Sequence, residues 1–153
     1  MISLFNPLLK NDELLEYLPQ RKPFVLVDSF YGILDKAAYT SFTLQKESIL
    51  SNEKWYLEMV AIEFLAQSGI IMMNYKAKQN KEVVNINQLS GFICKIKKFQ
   101  FSGTLRIEDQ LIGKIISTYH LCNMMILHAE CYVSHNKLFE GDYEVLSLNQ
   151  NKE

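Results

Sequence analysis

The residues best suited to chemistry lie in one apolar stretch, Met59 to Tyr75, which reads MVAIEFLAQSGIIMMNY and carries a single charge, Glu63. Wound as a helix, it puts Gln67 one turn beyond Glu63 and keeps Asn74 on the same stripe, while Ile62, Ala66, Gly69 and Met73 form another. A carboxylate among apolar neighbours is held toward its neutral form, which suits a general acid. An amide one turn on can orient that carboxylate or a substrate carbonyl. The plainer readings are an acidic residue favoured by the helix dipole and a satisfied buried amide.

The other candidates are weaker. Asn52, ahead of the helix, has no proton-accepting amide chemistry and can only position a substrate or a water. His120, His128 and His135 all come late in the chain. The first can reach a cleft, the second alternates against an apolar strand face, and the third sits at a turn. No CxxC, HExxH or clustered His/Cys ligand set is present, so neither a metal nor any other cofactor is expected.

The positioning elements follow from periodicity. Asn11 to Leu18 reads as a short capped helix stopped by Pro19. Phe24 to Ile33 and Ala37 to Leu44 read as strands around a turn at Leu34–Lys36. Lys46 to Tyr56 is an irregular approach to the long helix, Lys76 to Lys81 a charged exit, and Glu82 to Gln88 a loop. Leu89 to Phe101 is a strand whose alternation slips at Lys97-Lys98, which marks a bulge. Gln110 to Leu121, Met124 to Ser134 and Leu138 to Leu148 complete the set, with a tight turn at His135–Lys137. Strands grouped after one helix give an α+β layout, an antiparallel sheet wrapped around one long buried helix. A single sheet of about six strands covers such a helix poorly, so association through a sheet edge or the helix entrance is expected.

The whole chain sets bounds. Its 153 residues suit one domain, 48% hydrophobic content with 22% charge is ordinary for a globular protein, and a net charge of -1 gives no pull toward nucleic acid. The central stretch is short for a membrane span and contains Glu63, Gln67 and Asn74, so a membrane location is not expected. The N-terminus lacks a basic leader before an apolar core, and three scattered cysteines argue against a disulfide framework, both of which point to the cytoplasm.

Two motifs in order carry a family resemblance. LPQRKPFVLVD, Leu18 to Asp28, resembles the LPHR-PF-LLVDR opening of the hot-dog-fold 3-hydroxyacyl-acyl carrier protein dehydratases. IEFLAQSG, Ile62 to Gly69, resembles their helix motif, and GFICKIKKFQF, Gly91 to Phe101, matches a later strand. The helix motif is nearest that of the dehydratase-like proteins of aryl polyene and flexirubin pigment pathways. The resemblance implies a single hot-dog domain over residues 1–153. It also implies a dimer in which one chain's histidine takes the C2 proton of a carrier-bound 3-hydroxyacyl thioester. A helix carboxylate of the other chain protonates the departing hydroxyl, and Glu63 matches it. The loop that should bear the histidine, LSNEKWYLEM from Leu50 to Met59, has none; Asn52 falls nearest its position, and Gln20 replaces the His of the first motif.

The expectation is therefore a dehydratase-like subunit of fatty acid or polyene-type biosynthesis, with Glu63 catalytic and Gln67 and Asn52 at the substrate. Its partners would be an acyl carrier protein-bound substrate and a second hot-dog subunit, either a copy of itself or one that supplies the histidine. Two rivals remain open: a thioesterase using Glu63, and a non-catalytic subunit that stabilises a partner. Met72, Met73, Met124 and Met125 can line an acyl channel, and Lys95, Lys97, Lys98, Arg106 and Lys114 can form a basic patch for an acidic carrier. Plain core and a solvated strand face are the default alternatives.

Overall fold

A computed structural model describes residues 6–48, 50–52, 55–56, 58–81, 89–121 and 123–149. Its strands are β1 (Leu9–Lys10), β2 (Ser29–Leu34), β3 (Ala37–Thr43), β4 (Ser51–Asn52), β5 (Trp55–Tyr56), β6 (Leu89–Phe101), β7 (Leu105–Arg106), β8 (Gln110–Leu121), β9 (Met124–Val133) and β10 (Asn136–Asn149). The helix α1 runs from Met59 to Gln79, and a 3-10 turn covers Asn11–Glu16. Seven strands form one antiparallel sheet in the order β1-β2-β3-β8-β9-β10-β6, while β4, β5 and β7 make a small second sheet.

The helix lies on the large sheet because two glycines let it approach. A Cβ on Gly69 would sit 2.6 Å from Leu127 Cδ1, and one on Gly113 would meet Thr40 Oγ1 at 2.7 Å and the Phe64 ring at 3.0 Å. Val60, Phe64, Leu65, Ile71 and Met72 are buried. Thr40 and Ser68 join the layers through a 2.7 Å hydroxyl hydrogen bond, and Ser68 also donates to Phe64 O. On the other side Ile62, Ala66, Ile70 and Met73 are only partly buried, and Met59 is 69% exposed. One sheet thus covers one side of a helix that is apolar nearly all round.

Several boundaries differ from the sequence pattern. The first strand begins at Ser29 rather than Phe24, because Phe24 O and Leu26 N bond a helix side chain and not a neighbouring strand. The helix continues through Lys76–Gln79, where Lys78 pairs with Glu16 at 3.0 Å and lies 4.1 Å over the Tyr17 ring. The last strand starts at Asn136, since the turn before it is Ser134-His135, both at positive φ. The approach to the helix contains β4 and β5. The slip in β6 is a bulge: Gln100 pairs with Glu140 but Lys97 with Asp142, and Lys98 takes φ 51. Residues 82–88, expected to form a loop, lie outside the described residues.

β6 pairs with β10 on one side and, among the described residues, with no strand on the other. Exposed Ile93 and Phe99 lie along this edge strand.

Candidate active site

Gln67 is fully buried, and its amide joins the two sequence motifs. Leu26 N donates to Gln67 Oε1 at 2.8 Å, and Gln67 Nε2 donates to Phe24 O at 2.8 Å. The second hydrogen of Nε2 goes to Glu63 Oε1, also at 2.8 Å. The segment from Phe24 to Leu26 stays out of the sheet to make these bonds, and the helical i, i+4 spacing carries the orientation to Glu63. Gln67 thus contacts the Glu63 carboxylate directly. Gln67 makes three polar contacts, and Glu63 is half-buried.

The helix turn carrying Glu63 is also held from the sheet. Tyr143 of β10, 1% exposed, donates from its hydroxyl to Ile62 O at 3.3 Å. Burial pushes the Tyr143 phenol well above its usual range, with Cys131 and the charge of Glu63 adding to the effect. Burial likewise pushes the Cys131 thiol up to about 12. Neither residue carried a sequence signal beyond strand alternation.

Asn52 pairs through its backbone with Trp55; its side chain lies outside the described part of the structure. His120 comes to the helix-facing side, because a bulge at Thr118 shifts the register so that His120 pairs with buried Met125. Met125 lies beyond Leu127, which Gly69 packs against, whereas Glu63 lies six residues earlier, about 9 Å along the helix axis. His120 itself is exposed. His135 occupies its turn.

His128 lies on the outer face of the sheet in a charge ladder. Its Nδ1 is 2.8 Å from Asp142 Oδ1 and its Nε2 is 3.5 Å from Glu140 Oε1. Lys137 bonds both Glu130 (3.1 Å) and Glu140 (2.6 Å), and Lys114 bonds Glu130 at 2.9 Å. His128, Glu130 and Glu140 present ligand atoms within 4.8 Å of one another, a cluster that sequence spacing did not reveal. The Lys137 ammonium already bridges its two carboxylates. Lys98 pairs with Asp142 at 3.2 Å and Lys97 with Glu144. Three of the five lysine and arginine residues considered as a basic patch are thus in ion pairs, and the face is one of mixed charge.

The ladder sets the ionisation of its members. The hydrogen bond from His128, with Lys98 behind it, holds Asp142 below the usual carboxylate range despite some desolvation. Lys97 does the same for Glu144. Burial would raise Glu130, but bonds from Lys114 and Lys137 outweigh it and the net direction is down.

A seven-stranded antiparallel sheet with one long helix across it is the hot-dog fold. Within that class, residues 13–145 match the model of the ApeP-like family, described as ApeP dehydratase, and the chain belongs to this family. Among solved structures it is similar to a chain of the dehydratase heterocomplex ApeI:P from Xenorhabdus doucetiae, with TM-score 0.77 and 18% identity over 88% of this chain and 90% of that one. It is also similar to a hypothetical thioesterase with coenzyme A from Streptococcus pneumoniae TIGR4, with TM-score 0.57 and 10% identity over 81% and 88% of the two chains. A third likeness is to Cj0977, a sigma28-regulated virulence protein from Campylobacter jejuni, with TM-score 0.58 and 15% identity over 92% and 93%. No curated protein sequence matches the chain significantly. No helix among the described residues is long and apolar enough to cross a membrane.

Proposed function

We propose that this chain is the carboxylate-bearing subunit of a dehydratase for 3-hydroxyacyl thioesters carried on acyl carrier protein, in polyene-type or fatty acid biosynthesis in the cytoplasm. The observation that carries the reading is Glu63, half-buried and gripped by a buried amide whose orientation the first motif's backbone fixes. The catalytic base is a histidine of a second hot-dog subunit. The partner packs on the stripe of Ile62, Ala66, Ile70 and Met73 and along the β6 edge. Support comes from the half-open stripe, the unpaired edge, the ApeP-like family match and the heterocomplex to which the chain is similar. Residues 1–153 act as one hot-dog domain.

In this reaction the partner's histidine takes the C2 proton, and the electron pair left behind forms the C2=C3 double bond. The C3–O bond breaks as Glu63 gives its proton to the departing hydroxyl, which leaves as water. Asn52, ahead of the helix, positions the substrate, and Gln67 acts on it through Glu63. General acid catalysis of this kind contributes roughly 10²–10⁴-fold to a rate.

The test is the mass of a carrier-bound 3-hydroxyacyl thioester incubated with this chain alone and with a histidine-bearing hot-dog partner. Loss of one water only with the partner supports the reading. Release of free carrier thiol without loss of water would identify a thioesterase instead.

A further inference from the structure

The two oxygens of Glu63 are not equivalent. Leu26 N is a backbone donor and nothing else, so the Gln67 atom 2.8 Å from it must be the carbonyl oxygen. Phe24 O only accepts, so the atom 2.8 Å from it must be the amide nitrogen. These two backbone groups remove the usual ambiguity in an amide's orientation. The remaining Nε2 hydrogen then points at Glu63 Oε1, 2.8 Å away. A proton on Oε1 would leave this N–H facing a hydroxyl oxygen, a poorer acceptor than the carbonyl oxygen.

We propose that Glu63 holds and delivers its proton from Oε2, with Gln67 as the positioning residue that reserves Oε1 as an acceptor. This rests on the reading of Glu63 as the general acid. Among the described residues Oε2 has no hydrogen-bond partner, so it is the oxygen open to a substrate hydroxyl. As the proton passes from Oε2 to the leaving hydroxyl, the negative charge spreads over both oxygens. The share on Oε1 meets an N–H already in place, an interaction stronger with the developing carboxylate than with the protonated carboxyl. Among the described residues, no other group bonds Oε1. Segment 24–26 offers only backbone atoms there, and the Tyr143 hydroxyl on β10 donates to Ile62 O. Cys131 on β9 interacts with Tyr143 and is fully buried.

The experiment is infrared difference spectroscopy of the full chain, acidified until the carbonyl band of protonated Glu63 is seen, with Glu63→Gln identifying the band by its loss. If Oε1 is the carbonyl oxygen, its bond to Gln67 lowers the stretch, and Gln67→Met moves the band to higher wavenumber. A band that stays in place in a folded Gln67→Met chain overturns the assignment. Should that variant fail to fold, neutron diffraction of the wild-type chain at the same pH decides: a deuteron on Oε2 supports the proposal and one on Oε1 overturns it. Both measurements read the chain without substrate, so a failure of the dehydratase reading shows separately, as no loss of water with any partner.

Discussion

Gln67 explains at the level of single residues why two short motifs occur together. The first supplies backbone atoms at Phe24 and Leu26, and the second supplies the amide that reads them and hands its orientation to Glu63. The pairing of Glu63 with Gln67 was legible from helical spacing. The bonds to residues more than forty positions away were not, because they use backbone atoms, which leave no side-chain signature. Glu63→Gln keeps the acceptor that Gln67 needs but loses the transferable proton. The assembled enzyme should then lose about 100-fold or more in turnover while assembly is unchanged, measured by kinetics beside size-exclusion chromatography. Cys131, fully buried with its thiol pushed up to about 12, should resist alkylation at neutral pH until the chain unfolds. Modification of Cys131 in the native protein at the rate of a small thiol, followed by mass, would contradict its placement.

The elements are held in register by two kinds of contact that the sequence shows unequally. Period-two alternation located β6, β8 and β9 to within a residue or so, and the doubled lysine marked the bulge at Lys98. The run of β-branched and aromatic residues from Phe24 also extended the first strand over residues 24–28, since β propensity does not distinguish a ladder from a segment bound to a helix side chain. The helix seat depends on glycines whose role only the packed layers reveal. Gly113→Ala would drive a methyl against Thr40 Oγ1 and the Phe64 ring, costing about 1–3 kcal/mol in chemical denaturation. Gly69→Ala meets the flexible tip of Leu127 and should cost less. On the outer face, Asp142, Glu144 and Glu130 all have folded-state pKa values below the ordinary carboxylate value. A depressed carboxylate pKa contributes stability above the unfolded value, and that contribution is lost as pH falls through the folded value. Thermal stability should therefore decline from about pH 4 downward, and neutralising Lys98 or Lys97 should make the decline shallower. An equally steep decline in both lysine variants would separate acid lability from this ladder.

The whole molecule looks like half of an assembly. Among the described residues, a helix apolar nearly all round meets the large sheet on one side, the stripe through Ile62, Ala66, Ile70 and Met73 is partly buried, and β6 is the last strand of the sheet. The helix's lack of a polar face was legible in the sequence and is one ground for the proposed partner. No histidine lies between Leu50 and Met59, where the resemblance would put the base. In the proposed function a partner brings a histidine to the mouth of this helix. The most direct measurement follows the mass of a carrier-bound 3-hydroxyacyl thioester turned over by the complex with a histidine-bearing hot-dog subunit, using either wild-type chain or Glu63→Gln. The expected result is loss of one water with the wild-type chain and almost none with the variant. Undiminished loss of water with Glu63→Gln would contradict the role of Glu63 and leave this chain a structural support for a partner that carries the whole reaction.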